Sequence, residues 1–362
     1  MLYEVALGLI PKIGDKLSKY LISYLGSAEA VFKANKKKLM SVPGIGQLVA
    51  TEIVQSKVLQ NAEAIIRKAE KDQIQLLFYT NPAYPTRLKE LADAPSLLYY
   101  KGVQSLNAPR TVAIVGTRMA SEYGKAITHK IVQELAQYDV VVISGLAYGI
   151  DITAHKACLQ TGVPTIGVMG SGIDIIYPFQ HQKTALEMLE KGGLLTENTF
   201  GVKPDAPRFP ERNRIIAGLC DALIVIETAQ KGGTLITAEI AYSYNKEIYA
   251  VPGNLGLKSS EGSNKLIVQQ KAQLFMSVNQ IVKDLHWDQE TQPKTHVLPP
   301  DLTEDELKII TLLYKEKEVQ IDELAWKTQI NISKLSSLLL MMEFSGLLKT
   351  LPGNKVKLLL GN

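Results

Sequence analysis

Three arginines and a phenylalanine fall within seven residues, in Arg208-Phe209-Pro210-Glu211-Arg212-Asn213-Arg214. A guanidinium grips phosphate oxygens with two parallel donors, and an aromatic face takes a base, each stacked base being worth roughly 1 to 3 kcal/mol. Such a cluster suits a single-stranded nucleic acid. Two residues apart on a helix, Arg212 and Arg214 point to nearly opposite sides. One should face a ligand while the other pairs in the core or at a subunit interface, and spacing does not say which. Further candidates lie in glycine-rich steps, Gly116-Thr117-Arg118, Ser144-Gly145, Gly170-Ser171-Gly172 and Lys231-Gly232-Gly233-Thr234. Arg118, just past a strand, favours anion binding over a salt bridge. Gly233 and Thr234 open a helix whose N-terminus can cradle a phosphate, with Lys231 adding a point charge. The nucleic-acid-binding set is therefore Gly116, Thr117, Arg118, Ser144, Gly145, Phe209, Arg212, Asn213, Arg214, Lys231, Gly233 and Thr234.

Ser144, Asp151 and His155 would fit a hydrolase if they met. The residues around Ser144 form no Gly-x-Ser-x-Gly elbow, however, so Asp151 is expected to cap a helix start and orient His155. Cys158 and Cys220 lack metal-ligand spacing and are expected to be core thiols. No zinc, other metal or cofactor is expected, and the chain holds no Gly-x-x-x-x-Gly-Lys-Ser/Thr loop for nucleotide-driven action.

Positioning these residues requires strands that empty into glycine-rich turns. The apolar runs Val112-Ala113-Ile114-Val115, 140–143, 165–169 and 223–226 are rich in Val and Ile on both faces, as in a parallel, doubly wound sheet. In such a sheet the loops collect along one edge, where helix N-termini present unpaired N–H groups. Residues 76–110 should add two short strands and a helix to the edge of the sheet. This extended Rossmann-like, mostly parallel α/β domain is expected over residues 76–285.

Residues 1–75 read as a helical domain, with segments at 15–25, 28–34 and a long one at 48–71. Val42-Pro43-Gly44-Ile45-Gly46 is a helix-hairpin-helix turn, and Ile10-Pro11-Lys12-Ile13-Gly14 is a weaker copy, favouring a packing role over DNA contact. Residues 286–300, with Pro293, Pro299 and Pro300, read as a linker. Beyond it, helices at 304–316, 321–327 and 333–344 and a hairpin over 347–360 turning at Pro352-Gly353-Asn354 form a winged-helix pattern.

The formal charge of +4 is unevenly spread: 11 basic and 7 acidic residues in 1–75, 20 and 18 in 76–285, 9 and 11 in 286–362. The slightly acidic winged helix, whose third helix lacks base-reading Arg, Asn or Gln, suits protein contact or packing better than duplex recognition. No apolar run approaches a membrane span, so the chain is expected to be cytoplasmic.

Taken in order, several motifs resemble the DNA-processing protein A family (DprA, also called Smf). They are Tyr84-Pro85; residues 112–118 with Ser121 and Tyr123-Gly124; Ser144-Gly145-Leu146-Ala147 with Gly149-Ile150-Asp151 and His155; Tyr177-Pro178; residues 209–219; residues 233–238; Val251-Pro252-Gly253; and Asn264 with Leu266-Ile267. The resemblance implies a helical SAM-like N-terminal module, a Rossmann-like core that forms a homodimer and a variable C-terminal winged helix. It also implies a non-enzymatic protein of natural transformation that binds and protects single-stranded DNA and loads the RecA recombinase onto it. The chain departs from the family pattern at Tyr148, where Arg is common, at Gly232, where Ser is common, and at Lys271, a usual glycine. Tyr148 could stack on a base instead.

Two other readings compete. Gly232-Gly233-Thr234 also resembles the phosphate loop of the lysine-decarboxylase-like nucleotide phosphoribohydrolases, which place a catalytic Glu three residues after the Thr. Here that position is Thr237, and Glu239 comes five after. A transcription regulator would instead read duplex DNA through residues 301–362.

Overall fold

Short apolar runs form the strands β1 (Gln75–Phe78), β2 (Leu97–Gly102), β3 (Thr111–Val115), β4 (Val141–Gly145), β5 (Thr165–Val168), β6 (Gly193–Thr196), β7 (Ala222–Val225), β8 (Glu247–Ala250) and β9 (Gln273–Leu274). They belong to a computed structural model that describes residues 1–288, 302–316, 318–345, 347–351 and 354–358. The strands make one sheet in the order β1-β2-β6-β5-β4-β3-β7-β8-β9. From β6 to β9 every pairing is parallel, while β1 and β2 are antiparallel additions at one edge. The stretch β5-β4-β3-β7-β8-β9 has the Rossmann order, which reverses direction between β3 and β7 and opens a crevice there at the carboxyl ends of the strands.

Alternation along each strand builds two cores. Leu77, Leu98, Tyr100 and Leu195 join Ile215, Ile216, Leu219 and Ala238 on one side, and Leu76, Phe78, Leu97, Tyr99 and Leu194 join the N-terminal helices on the other. A period of two therefore covers both faces of the sheet. Val5, Leu21, Val31 and Ile53 sit in the same cluster as Tyr99, Leu146 and Met188, so residues 1–285 form one compact unit.

The N-terminal helices are Leu2–Gly8, Asp15–Leu25, Ala28–Lys33, Lys36–Met40, Gln47–Gln55 and Val58–Lys71. The single long helix expected over 48–71 is broken at Ser56, whose extended backbone (φ −65°, ψ 136°) ends one helix before the next begins. Both hairpins adopt the same turn. Ile13 N–H donates to Ile10 O and Ile45 N–H to Val42 O, with Lys12 at φ 67° where the second copy has Gly44 at φ 84°. Lys12 thus takes a left-handed conformation that normally selects glycine.

Residues 286–362 form the second unit. Helices Glu304–Glu316, Ile321–Thr328 and Ile332–Phe344 pack with the strands β10 (Glu318–Gln320), β11 (Leu348–Leu351) and β12 (Lys355–Leu358) in the order β10-β12-β11. This is the expected winged helix. Of the expected linker, residues 289–300 lie outside the described residues, as do Pro352 and Gly353 of the hairpin turn. On the third helix, Lys334 is held by Asp305 at 2.6 Å, and Leu340, Met341 and Phe344 are exposed. Among the described residues no helix is long and apolar enough to cross a membrane.

Beside the sheet, Arg87 braces the short helix Thr86–Lys89 against the start of β7. Its Nε and Nη2 donate to the two oxygens of Asp221 at 2.7 and 2.9 Å, and Asp221 also accepts from Thr111 N–H at 2.9 Å. Arg87→Ala leaves a half-buried carboxylate with one partner fewer and should lower unfolding stability by about 2 kcal/mol in a urea titration.

Candidate nucleic-acid interface

The crevice between β3 and β7 is a cleft of about 720 Å³. Its walls come from three places: the loop Gly116-Thr117-Arg118 after β3, the segment from Thr228 to Thr234 after β7, and the start of the helix Arg208–Leu219.

The β3 loop is clamped on both sides. Thr117 N–H donates to Glu227 O at 2.7 Å, and Ile150 N–H donates to Thr117 O at 3.2 Å. Gly149, at φ 77°, lets the chain pass this close, since a Cβ there would strike the Thr117 carbonyl and the Arg118 backbone. Ser121 caps the helix Glu122–Leu135 by accepting from Gly124 N–H at 3.0 Å, as its sequence position predicts. Glu227 completes the joint, accepting from Ser121 Oγ at 2.5 Å and Ser121 N–H at 3.0 Å. Sequence reasoning passed over Glu227; an acidic residue directly after four apolar strand residues was the available signal. Held this way, Arg118 projects into the cleft with its guanidinium 5.4 Å from the centre of the Phe209 ring. That distance suits a cation–π contact.

Arg212 lies on the floor, buried, donating to Val168 O and, through Nε, to Asn213 Oδ1 at 3.2 Å. Asn213 lines the cleft beside it, together with Gly116, Thr117, Phe209, Gly233 and Thr234. Asp151 also lines the floor, and burial pushes its carboxyl up to about 6, against the pull of the Arg212 guanidinium and the Ala147 amide. A Cβ on Gly145 would run into both the Asp151 carboxylate and the Arg212 guanidinium, so glycine is what lets these charges approach each other.

Several expected residues lie elsewhere. Ser144 and Gly145 are the last two residues of β4 and not a loop; Ser144 is fully buried and donates its hydroxyl to Ile114 O at 2.6 Å. They support the floor from beneath. Lys231 is exposed beside the Gly232 turn and outside the cleft lining. Arg214 points away from the cleft, as the opposite orientation of its neighbour requires. It donates to Glu197 and to Asp93 O, and reaches Asp15 of the N-terminal helices at 3.5 Å. Asp15 in turn accepts from Ser96 N–H at 2.6 Å and Ser96 Oγ at 2.8 Å. Arg214 therefore ties the N-terminal helices to the sheet.

Asp151 does not orient His155. The imidazole is fully buried, with Nδ1 2.7 Å from Thr165 Oγ1, and burial pushes its pKa down to about 3. Ser144, Asp151 and His155 make no relay. Burial likewise pushes the Cys158 and Cys220 thiols up to about 12, in keeping with core thiols. Thr237 lines the cleft where the nucleotide hydrolases would place their acid, and Glu239 is engaged by Lys271 at 2.6 Å.

Strand order, a clamped loop after the first Rossmann strand and a cationic floor at the switch point define a Rossmann-type protein with an anion-receptive cleft. The comparisons with known proteins narrow the class. The chain belongs to the DNA recombination-mediator protein A family, whose model matches residues 75–286; a DprA winged helix domain matches 293–354 and a helix-hairpin-helix motif matches 4–65. It is 31% identical to Protein Smf of Synechocystis over 97% of both chains. The X-ray structure of DNA processing protein A from Streptococcus pneumoniae superposes with a TM-score of 0.67 at 30% identity, covering 78% of this chain and 98% of that one. A structure of the Helicobacter pylori protein, described for its single-stranded DNA binding mode, gives 0.54 at 31% identity over 60% of this chain and 97% of that one.

Removing Arg214 should be costly to the fold. Arg214→Ala leaves Glu197, already pushed up to about 7 by burial, without its main counter-charge. Because the folded-state pKa lies above the unfolded one and rises further in the variant, the loss grows as pH rises. It should be about 2 to 3 kcal/mol at pH 8 and smaller at pH 5, measured by urea unfolding at both values.

Proposed function

We propose that the chain is a single-stranded DNA-binding protein whose switch-point cleft grips the phosphate backbone with little preference for sequence. The observation that carries this reading is the placement of Arg118, an exposed guanidinium over an aromatic ring, on a rigid loop beside the helix start at Gly233 and Thr234. Phosphate oxygens find a bidentate donor and backbone N–H groups there, and Phe209 offers a base a face to stack on. Asn213, with its Oδ1 occupied by Arg212, keeps its amide donors for the ligand. Lys231, just outside the cleft, adds attraction at longer range.

The family relationship supports the wider part of the reading. The protein acts in natural transformation, protects incoming DNA, forms a homodimer through its Rossmann-like domain and delivers the strand to the RecA recombinase.

The test is fluorescence anisotropy of a labelled oligothymidine and a duplex of equal length across a salt series. The single strand should bind far better than the duplex, with a log–log salt slope of roughly −0.7 per neutralised phosphate. Arg118→Ala should weaken strand binding by about tenfold or more and make the slope shallower by about one phosphate. Binding to duplex alone, or indifference to Arg118, would remove the cleft from the mechanism.

Asp151 gives the same site a pH dependence. Its carboxylate faces Arg212 and Arg118 and opposes an incoming phosphate when charged. Strand affinity should rise about fivefold as pH falls through 6. Asp151→Asn should hold the higher affinity at pH 7.5 and flatten that step.

A further inference from the structure

Among the described residues, the winged helix leaves one helix face uncovered. On Ile332–Phe344, Leu335, Leu339 and Met342 turn inward to the core of the unit. The other side carries Ser333, Ser336 and Ser337 in its first half and Leu340, Met341 and Phe344 in its second, all exposed, the last three at 55%, 69% and 85%. Spacings of three and four place all six on one side of the helix, and none of them is charged. The serines are ready to be covered. Ser336 Oγ donates to Ile332 O at 2.9 Å and Ser337 Oγ to Ser333 O at 3.2 Å, so burying them strands no donor.

We infer that this face pairs with the same face of a second copy of the chain, the two helices lying antiparallel about a two-fold axis between Ser337 and Leu340. The order of the residues selects that occupant. A two-fold contact sets residue i of one copy against j of the other, and j against i. Turned antiparallel, the serine half of each helix receives the apolar half of its neighbour, so large side chains meet small ones. A parallel pair would set serine on serine and Phe344 on Phe344. Small residues let two helix axes come within about 8 Å of each other. An anionic strand is a poor occupant, because the stripe offers it no cation. A single helix pair falls short of the roughly 1,200 Å² at which lasting interfaces begin, so copies free in dilute solution pair weakly and copies held near one another pair firmly. The winged helix then couples neighbouring protein molecules and does not read DNA.

The experiment is disulfide trapping in the full chain, whose own Cys158 and Cys220 are buried. Ser337→Cys and Phe344→Cys are made singly and oxidised with diamide. In the antiparallel pair the two copies of position 337 lie about 5 Å apart along the helix axes, within disulfide reach, whereas the two copies of position 344 lie about 16 Å apart, beyond it. Ser337→Cys should therefore form covalent dimers at least about tenfold faster than Phe344→Cys. Adding Leu340→Lys to Ser337→Cys should remove that advantage, since it sets a cation in the apolar half of the face. Equal trapping at the two positions overturns the inference, and so does a rate at position 337 that Leu340→Lys leaves unchanged. No trapping at either position also overturns it and marks a different occupant for the face. Leu340→Cys, equally near the axis, is the second central variant if Ser337→Cys fails to fold, with the same outcomes against Phe344→Cys.

Discussion

The helix Arg208–Leu219 has to bury two guanidiniums that point in opposite directions. Arg212 goes down into the cleft floor, where Val168 O, Asn213 and the charge of Asp151 receive it; Arg214 goes outward to Glu197, Asp93 and Asp15. A buried cation is tolerable only when its donors are met and an anion stands near. Both conditions hold on both sides of the helix, which fixes its rotation and its depth. Phe209 and Asn213 are placed as a result. The cleft wall and the attachment of the N-terminal helices are two ends of the same rigid element.

Much of this was legible in the sequence because the informative residues obey short-range rules. Parallel strands buried on both faces need continuous Val and Ile, the helix of Glu122–Leu135 needs a cap at Ser121, and the winged helix shows three helical segments followed by a hairpin. The loop at Gly116, Thr117 and Arg118 was also readable, since it follows directly from a strand ending in a glycine-rich turn, although its clamp was not. The break at Ser56 was not, because residues on either side favour helix and only packing decides where one segment stops.

The site residues divide along the same line. That Arg118 and Phe209 would line the cleft could be read from type and position alone. Ser144 and Gly145 could not, since a strand may run one or two residues past its apolar core and turn a supposed loop into floor. For Arg212 and Arg214 the helical period established that they diverge, and only the partners supplied by distant segments, Val168 for one and Asp15 and Glu197 for the other, determined which was which. Glu227 and Asp151 were hidden for the same reason: each acts on groups that the chain brings together from far along its length.

The sheet ends unequally. Its last parallel strand, β9, is only two residues long, and the opposite edge is the short antiparallel β1, against which the helix Val58–Lys71 packs. A two-residue edge offers an incoming backbone too few unpaired groups to template a tenth strand. A long exposed edge on a Val- and Ile-rich sheet is the kind of surface that invites such pairing. Truncating the edge withdraws the backbone route by which one copy could extend the sheet of another.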